Sequence, residues 1–248
     1  MTNGSTPTTT NMTTDDARVP GGLRARLALA LDVDDIVAAT RLARDLDEWF
    51  GVAKIGLELF SAAGPDSVLA IADQGYRVLL DLKLHDIPTT VGRASRVLGA
   101  LGVSYLTMHA AGGVPMLRAG VDGLAEGAAS AGLEPPVALG VTVLTSQPDA
   151  PVHVLQERVG AAIEARCGGV VCAATDLSVA REIGPALLTV VPGTRMTDVP
   201  QDDQSRTGTP ADALAAGADV LVIGRTVTAA ADRAGAAAAL VASISSVA

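Results

Sequence analysis

Apolar residues along this chain come in short runs that polar residues break at nearly regular intervals. The first is Leu27-Ala28-Leu29-Ala30-Leu31, stopped by Asp32. Val52-Ala53-Lys54-Ile55-Gly56 is the second, and the third starts at Val78-Leu79-Leu80 and continues through Asp81-Leu82-Lys83-Leu84. Tyr105 to His109, Val137 to Leu144, Gly169 to Ala173, Leu187 to Val191 and Asp219 to Ile223 complete the set of eight. Short, almost wholly apolar runs read as strands covered on both faces. Helical spacing fills most of the intervals, from about Asp35 to Trp49 and again through Ala72. Alternation of this kind predicts an α/β fold with a parallel sheet wrapped in helices. Eight such units within 23–248 predict a single-domain (β/α)8 TIM barrel. An open doubly wound sheet is the competing architecture. Its dinucleotide fingerprint, G-x-G-x-x-G after the first strand, is missing, because Asp32-Val33-Asp34-Asp35 stands there.

The polar exceptions gather at one end of these strands. Asp32, Lys54, Asp81, Lys83, His109, Thr145, Arg195 and Arg225 all lie at or just past C-terminal strand ends. In barrel enzymes that end carries the active site. Asp81 and Lys83 are two residues apart, so strand alternation puts them on one face, with Leu80, Leu82 and Leu84 on the other. An acid and an amine leaving an apolar strand together are costly to desolvate, which predicts that they pair. Asp86 sits at an odd offset from Lys83. Either the strand has ended there or Asp86 serves a different site, including one on a neighbouring subunit. A purely structural ion pair is the bland alternative for Asp81 and Lys83.

Two further stretches carry chemistry. A long polar segment, 196–208, separates Arg195 from Thr209-Pro210-Ala211-Asp212, which has the makings of a helix start: an N-cap Thr, Pro next and an early acid. Unstructured connections of that length in a barrel are often lids, with a solvated connector as the alternative. Gly224-Arg225 follows the last strand and opens an Ala-rich helical stretch. Gly admits a phosphate close to the backbone and Arg225 adds a fixed charge, so phosphate capture is expected there. A structural turn with a surface arginine is the competing reading.

Composition narrows the function. The chain has 248 residues, is 49% hydrophobic and only 2% aromatic, and carries a net charge of −9. With few aromatic platforms and an acidic balance, nucleic acid is not an expected partner. No apolar run reaches the ~20 residues of a membrane span. Residues 1–22 form a Thr-rich stretch without the apolar core of a signal peptide and are expected to be a disordered tail. Cys167 and Cys172 are too few for a disulfide framework and read as reduced thiols. The cytoplasm is the expected compartment.

Taken together, these pieces closely resemble orotidine 5′-phosphate decarboxylase. The matching segments are Leu29-Ala30-Leu31-Asp32, Lys54-Ile55-Gly56, Leu80 to Pro88, Val141 to Ser146, Pro192-Gly193-Thr194-Arg195, Asp202-Asp203-Gln204 and Val222-Ile223-Gly224-Arg225. They follow the family's order over about 27–230. Thr194 stands where the family more usually has Ile, and 147–154 departs from the common bacterial pattern. The resemblance implies a cofactor-free, metal-free homodimeric barrel that converts orotidine 5′-phosphate to UMP and CO₂ in pyrimidine biosynthesis. It implies that Asp32 and Lys54 hold the ribose, and that Asp81 and Lys83 face the reacting carboxylate and C6. Asp86 and Thr90 would reach the neighbouring subunit's site, and Thr145 would touch the pyrimidine edge. Arg195, Gln204, Gly224 and Arg225 would take the phosphate, with Gln204 arriving on the lid.

The residues support a mechanism without an electron sink. Acids beside Lys83 favour its ammonium form. A fixed cation stabilises negative charge developing at C6, and its proton then quenches the carbanion. Two other enzymes share parts of the pattern. A Schiff-base aldolase needs a neutral lysine, which neighbouring acids disfavour. A magnesium-dependent sugar-phosphate decarboxylase has the same D-x-K-x-x-D, but a carboxylate that helps hold the metal there is replaced here by Lys54, which repels Mg²⁺. A non-enzymatic phosphate-ligand sensor would have no need of Lys54, Asp81, Lys83 and Asp86 together. For His85 and His109 two roles stand open, structural hydrogen bonding, which is favoured, and catalysis.

Overall fold

Leu27, Leu29 and Leu31 point one way from the first strand and Ala28 and Ala30 the other, and this choice of sizes sets the architecture. The leucines pack outward under the helices, while the alanines join an inner cluster with Val52, Leu79, Tyr105, Leu139, Val190, Val220 and Val222. The computed structural model describes residues 20–147, 151–194 and 208–245. After a 3-10 turn, Pro20–Arg26, come β1 (Leu27–Leu31), α1 (Ile36–Asp45), β2 (Val52–Gly56), α2 (Leu57–Ala63) and α3 (Pro65–Ala72). β3 (Arg77–Leu84), α4 (Pro88–Gly99), β4 (Tyr105–His109), α5 (Gly113–Ser130), β5 (Val137–Val141) and α6 (Val152–Glu164) follow. The rest is β6 (Gly169–Val171), α7 (Leu177–Ile183), β7 (Leu188–Val191), α8 (Pro210–Ala215), β8 (Val220–Ile223), α9 (Arg225–Thr228) and α10 (Arg233–Ile244). Every strand pairs in parallel with the next, and β1 closes on β8 with Ala28 opposite Val222. Closure confirms the (β/α)8 barrel and removes the open-sheet alternative.

Several boundaries differ from the expectations. The 3-10 turn begins at Pro20, inside the stretch assigned to the tail; residues 1–19 lie outside the described residues. The helix expected from about Asp35 to Trp49 stops at Asp45, with Asp35 capping it by accepting the Val37 and Ala38 N–H groups. β5 ends at Val141 rather than Leu144. Thr142 still donates its N–H to the Val171 carbonyl of β6, while Val143 and Leu144 wall the barrel mouth instead. Thr209 caps α8 through its side chain, with Pro210 first in the helix, as expected. The Ala-rich stretch after Gly224 is two helices, because Asp232 starts α10 afresh by capping the Gly235 N–H at 2.9 Å.

β3 departs most from regular geometry. Leu80 pairs with Leu106, yet Leu84 pairs with Met108, so β3 spends more residues than β4 over the same rise. Within this bulge Lys83 adopts φ +50°, a left-handed conformation rare outside glycine. Asp81 and Lys83 do end up together, but a bulge brings them there, not the simple alternation expected from the sequence.

Helices α4 and α5 pack backbone to backbone. A Cβ on Gly123 would overlap the Gly92 carbonyl, one on Gly127 the Arg96 carbonyl, and one on Gly99 the Leu124 carbonyl. This contact holds α4, and hence the chain just after β3, against the barrel wall. At the opposite, N-terminal end of the barrel, Arg77 donates to the Tyr105 hydroxyl at 2.8 Å and lies over its ring.

Candidate active site

Small inward side chains such as Ala30 leave a cavity of about 300 Å³ above the inner core, at the C-terminal ends of the strands. Its floor is Ala30, Leu79 and Val222; its charged wall is Asp32, Lys54, Asp81 and Lys83. An apolar wall is formed by Val143, Leu144 and Cys172, and the far rim by Gly193, Thr194, Gly224 and Arg225.

The charged wall alternates in sign. Lys54 Nζ lies 2.8 Å from Asp32 Oδ1 and 4.0 Å from Asp81 Oδ2. Lys83 Nζ donates to both Asp81 oxygens at 2.9 Å. Asp32 is largely exposed, whereas Lys54 and Asp81 keep only 12% and 16% of their side-chain surface. Such desolvated charges persist only because each has an opposite neighbour. Gly56 makes room for this wall, since a Cβ there would stand 3.2 Å from Lys54 Nζ and 3.3 Å from Asp32 Oδ1.

Of the residues expected in the site, Asp32, Lys54, Asp81, Lys83, Thr145, Gly224 and Arg225 all line this one cavity. Asp86 and Thr90 do not. Both are exposed beyond it, and Asp86 Oδ1 accepts the Ile87 N–H at 2.6 Å, beside an Ile87 that is 65% exposed. Arg195 and Gln204, with 196–207 of the segment expected to form a lid, lie outside the described residues.

His85 and His109 stack with ring centroids 5.3 Å apart at the edge of the site. His109 Nδ1 accepts the Ala111 N–H at 3.3 Å, a structural role of the kind expected. Burial depresses the His109 pKa, with smaller contributions from Arg158, His85 and Lys83. The neutral ring is therefore favoured.

Sequence reasoning missed Thr107 and Arg158. Thr107 is fully buried beneath the ion pairs and donates to Asp81 Oδ1 at 3.0 Å. Arg158, from α6, donates to the Thr142 carbonyl at 2.6 Å and so ties down the chain that carries Val143, Leu144 and Thr145. A hydroxyl at an inward position of an apolar strand was the available signal for Thr107. Arg158 left none, because one arginine on a helix looks like any solvated charge.

The orotidine 5′-phosphate decarboxylase / HUMPS family model matches residues 25–240. An orotidine 5′-phosphate decarboxylase of Moorella thermoacetica is 42% identical over 231 residues, covering 88% of this chain and 92% of its own. The Thermobifida fusca protein of the same name is 40% identical, covering 90% and 97%. Among solved structures, an orotidine 5′-phosphate decarboxylase from Lactobacillus acidophilus superposes with a TM-score of 0.74 at 32% identity, covering 88% of this chain and 98% of that one. An uncharacterized conserved protein from Geobacillus kaustophilus gives the same TM-score at 33% identity, covering 88% and 99%.

Proposed function

The chain belongs to the orotidine 5′-phosphate decarboxylase / HUMPS family, and we propose that it decarboxylates orotidine 5′-phosphate to UMP and CO₂ with its own side chains alone. The observation that carries this reading is the alternating row Asp32, Lys54, Asp81 and Lys83 inside one cavity. Asp32 and Lys54 hold the ribose. Gly224 and Arg225 take the phosphate on the far rim, with Arg195 and Gln204 joining them. Thr145 meets the pyrimidine edge.

Loss of CO₂ leaves an electron pair at C6 of the pyrimidine, in the ring plane and outside the π system. Lys83 Nζ supplies a cation beside that carbon, held in place by both Asp81 oxygens. A preorganised charge in a partly desolvated site stabilises the developing anion without reorganisation at the moment of reaction. The same ammonium then gives its proton to C6, so the C–C bond breaks, the C–H bond forms and the lysine is left neutral. In this reading Asp81 faces the substrate carboxylate, and the like-charge repulsion between them is relieved as CO₂ leaves. Phosphate binding on the far rim contributes energy remote from the reacting carbon.

A second copy completes the site in this reading. Asp86 and Thr90 flank the exposed Ile87 at the start of α4, outside their own cavity, as residues serving a homodimer partner would. The magnesium-dependent sugar-phosphate reading is disfavoured because Lys54, already 2.8 Å from Asp32, puts a cation where the metal would be held.

The test is direct. Purified protein treated with EDTA and exchanged into metal-free buffer should bleach orotidylate absorbance with stoichiometric release of UMP. Turnover that collapses on EDTA treatment and returns with Mg²⁺ would overturn the cofactor-free reading. Turnover of a sugar phosphate but not of orotidylate would overturn the substrate.

A further inference from the structure

Outside the four charged residues, the group most tightly built into the site is a neutral one. We infer that Thr107 is a positioning residue for the decarboxylation: its single hydroxyl locks the bulged backbone at Lys83 and the Asp81 carboxylate into one geometry. The inference rests on the reading given under Proposed function.

Both bonds of that hydroxyl are in place. The Lys83 N–H donates to Thr107 Oγ1 at 2.9 Å, and Thr107 Oγ1 donates to Asp81 Oδ1 at 3.0 Å. The directions are fixed by chemistry. An ionised carboxylate only accepts and a backbone amide only donates, so the hydroxyl must give its proton to Asp81 and receive from Lys83. Thr107 is fully buried, on the wall of the cavity beside Asp81 and Lys83.

The need for this bond comes from the bulge. Regular pairing between β3 and β4 lapses between Leu80 and Leu84, and within that gap Lys83 is at φ +50°. A non-glycine residue persists in such a conformation only when its surroundings over-determine it. The Thr107 hydroxyl replaces the missing strand partner of the Lys83 amide, while the Lys83 ammonium and the same hydroxyl grip Asp81 from two sides. One oxygen thus ties the backbone of the proton donor to the side chain that aims it. Without it, the bulge can relax toward regular strand and swing Nζ away from C6. Displacements of about 1 Å cost roughly 100-fold in rate when the reacting geometry is lost.

The experiment compares Thr107→Val, Thr107→Ser and Thr107→Ala in the full-length protein, with kcat and KM for orotidylate and UMP affinity by calorimetry. Thr107→Val keeps the volume and removes both bonds. It should lower kcat by roughly 100-fold while KM and UMP affinity move by less than about threefold. Thr107→Ser, which keeps the oxygen, should restore kcat to within about threefold of the parent. If Thr107→Val does not fold, the decision passes to Ser against Ala, which differ only by that oxygen; Ser is expected to exceed Ala at least tenfold in kcat. Equal kcat for Ser and Ala, or a folded Val variant with parental kcat, overturns the inference. So does a Val variant whose loss lies wholly in KM. An unmodified protein with no activity on orotidylate would instead overturn the functional reading.

Discussion

Substituting Gly127 by Ala drives a methyl group into the α4–α5 contact. That methyl would overlap the Arg96 carbonyl oxygen and lie 2.8 Å from its carbon and 3.0 Å from the Arg96 Cα. Carbon atoms prefer separations of about 3.5–4.0 Å, so the helices must part by roughly 1 Å. The obstacle is backbone, which cannot rotate aside as a side chain would. Overpacking typically costs about 1–3 kcal/mol, and the upper end applies here. Alanine's better helix propensity returns about 1 kcal/mol. The net loss is about 2 kcal/mol, which for a chain of this size lowers Tm by roughly 4–8 °C. Gly160→Ala on α6 is the control, since nothing lies within 4 Å of a Cβ there. It should gain about 0.5–1 kcal/mol from propensity alone. Thermal melts followed by circular dichroism read both. A Gly127 variant as stable as the Gly160 variant would refute the account of how α4 is held behind the site.

Other consequences are open to measurement. His109 resists protonation in the native state, because burial and then Arg158, His85 and Lys83 push its pKa below the ordinary 6.5; the unfolded chain binds that proton more readily, so native stability is lost as pH falls below about 6.5. His109→Gln should therefore flatten the acid side of a Tm-against-pH curve, and an unchanged slope would refute the assignment. Thr194 keeps a buried Oγ1 without a hydrogen-bond partner among the described residues, so Thr194→Val should raise stability of the ligand-free protein by about 1 kcal/mol in urea titrations. Arg181 donates to the Leu187 and Gly217 carbonyls, to Thr189 and to Asp219 at the N-terminal ends of β7 and β8. Arg181→Ala should cost about 1–2 kcal/mol given its partial exposure, with turnover per folded molecule unchanged, because the pair lies at the end of the barrel away from the site.

Much of the fold was legible because strand and helix periods differ and the barrel repeats them eight times. Leu27 to Leu31 could hardly be anything but a covered strand, and Thr209-Pro210-Ala211-Asp212 declared a helix start through capping chemistry alone. The charged wall was legible for a related reason. Lys54, Asp81 and Lys83 interrupt strands that are otherwise apolar, and buried charge needs a purpose. Local irregularity was harder to see. Nothing in Leu80 to Leu84 announces a bulge, since the left-handed backbone at Lys83 is imposed by tertiary partners rather than by a glycine. The early end of β5 was hidden as well, because Val143 and Leu144 are as apolar as strand residues while they wall a cavity. Thr107 was missed because its partners come from β3, a relation that the order of residues does not display.

The central claim is that the Lys83 ammonium, aimed by Asp81, stabilises and protonates the carbon that loses CO₂. Its most direct measurement is single-turnover decarboxylation of orotidylate by the Lys83→Ala protein beside its affinity for UMP. Removing both a preorganised charge and the proton donor should cost at least about 10⁴-fold in rate, with UMP bound within about tenfold of the parent. A Lys83→Ala protein that decarboxylates orotidylate within about tenfold of the parental rate would contradict the account.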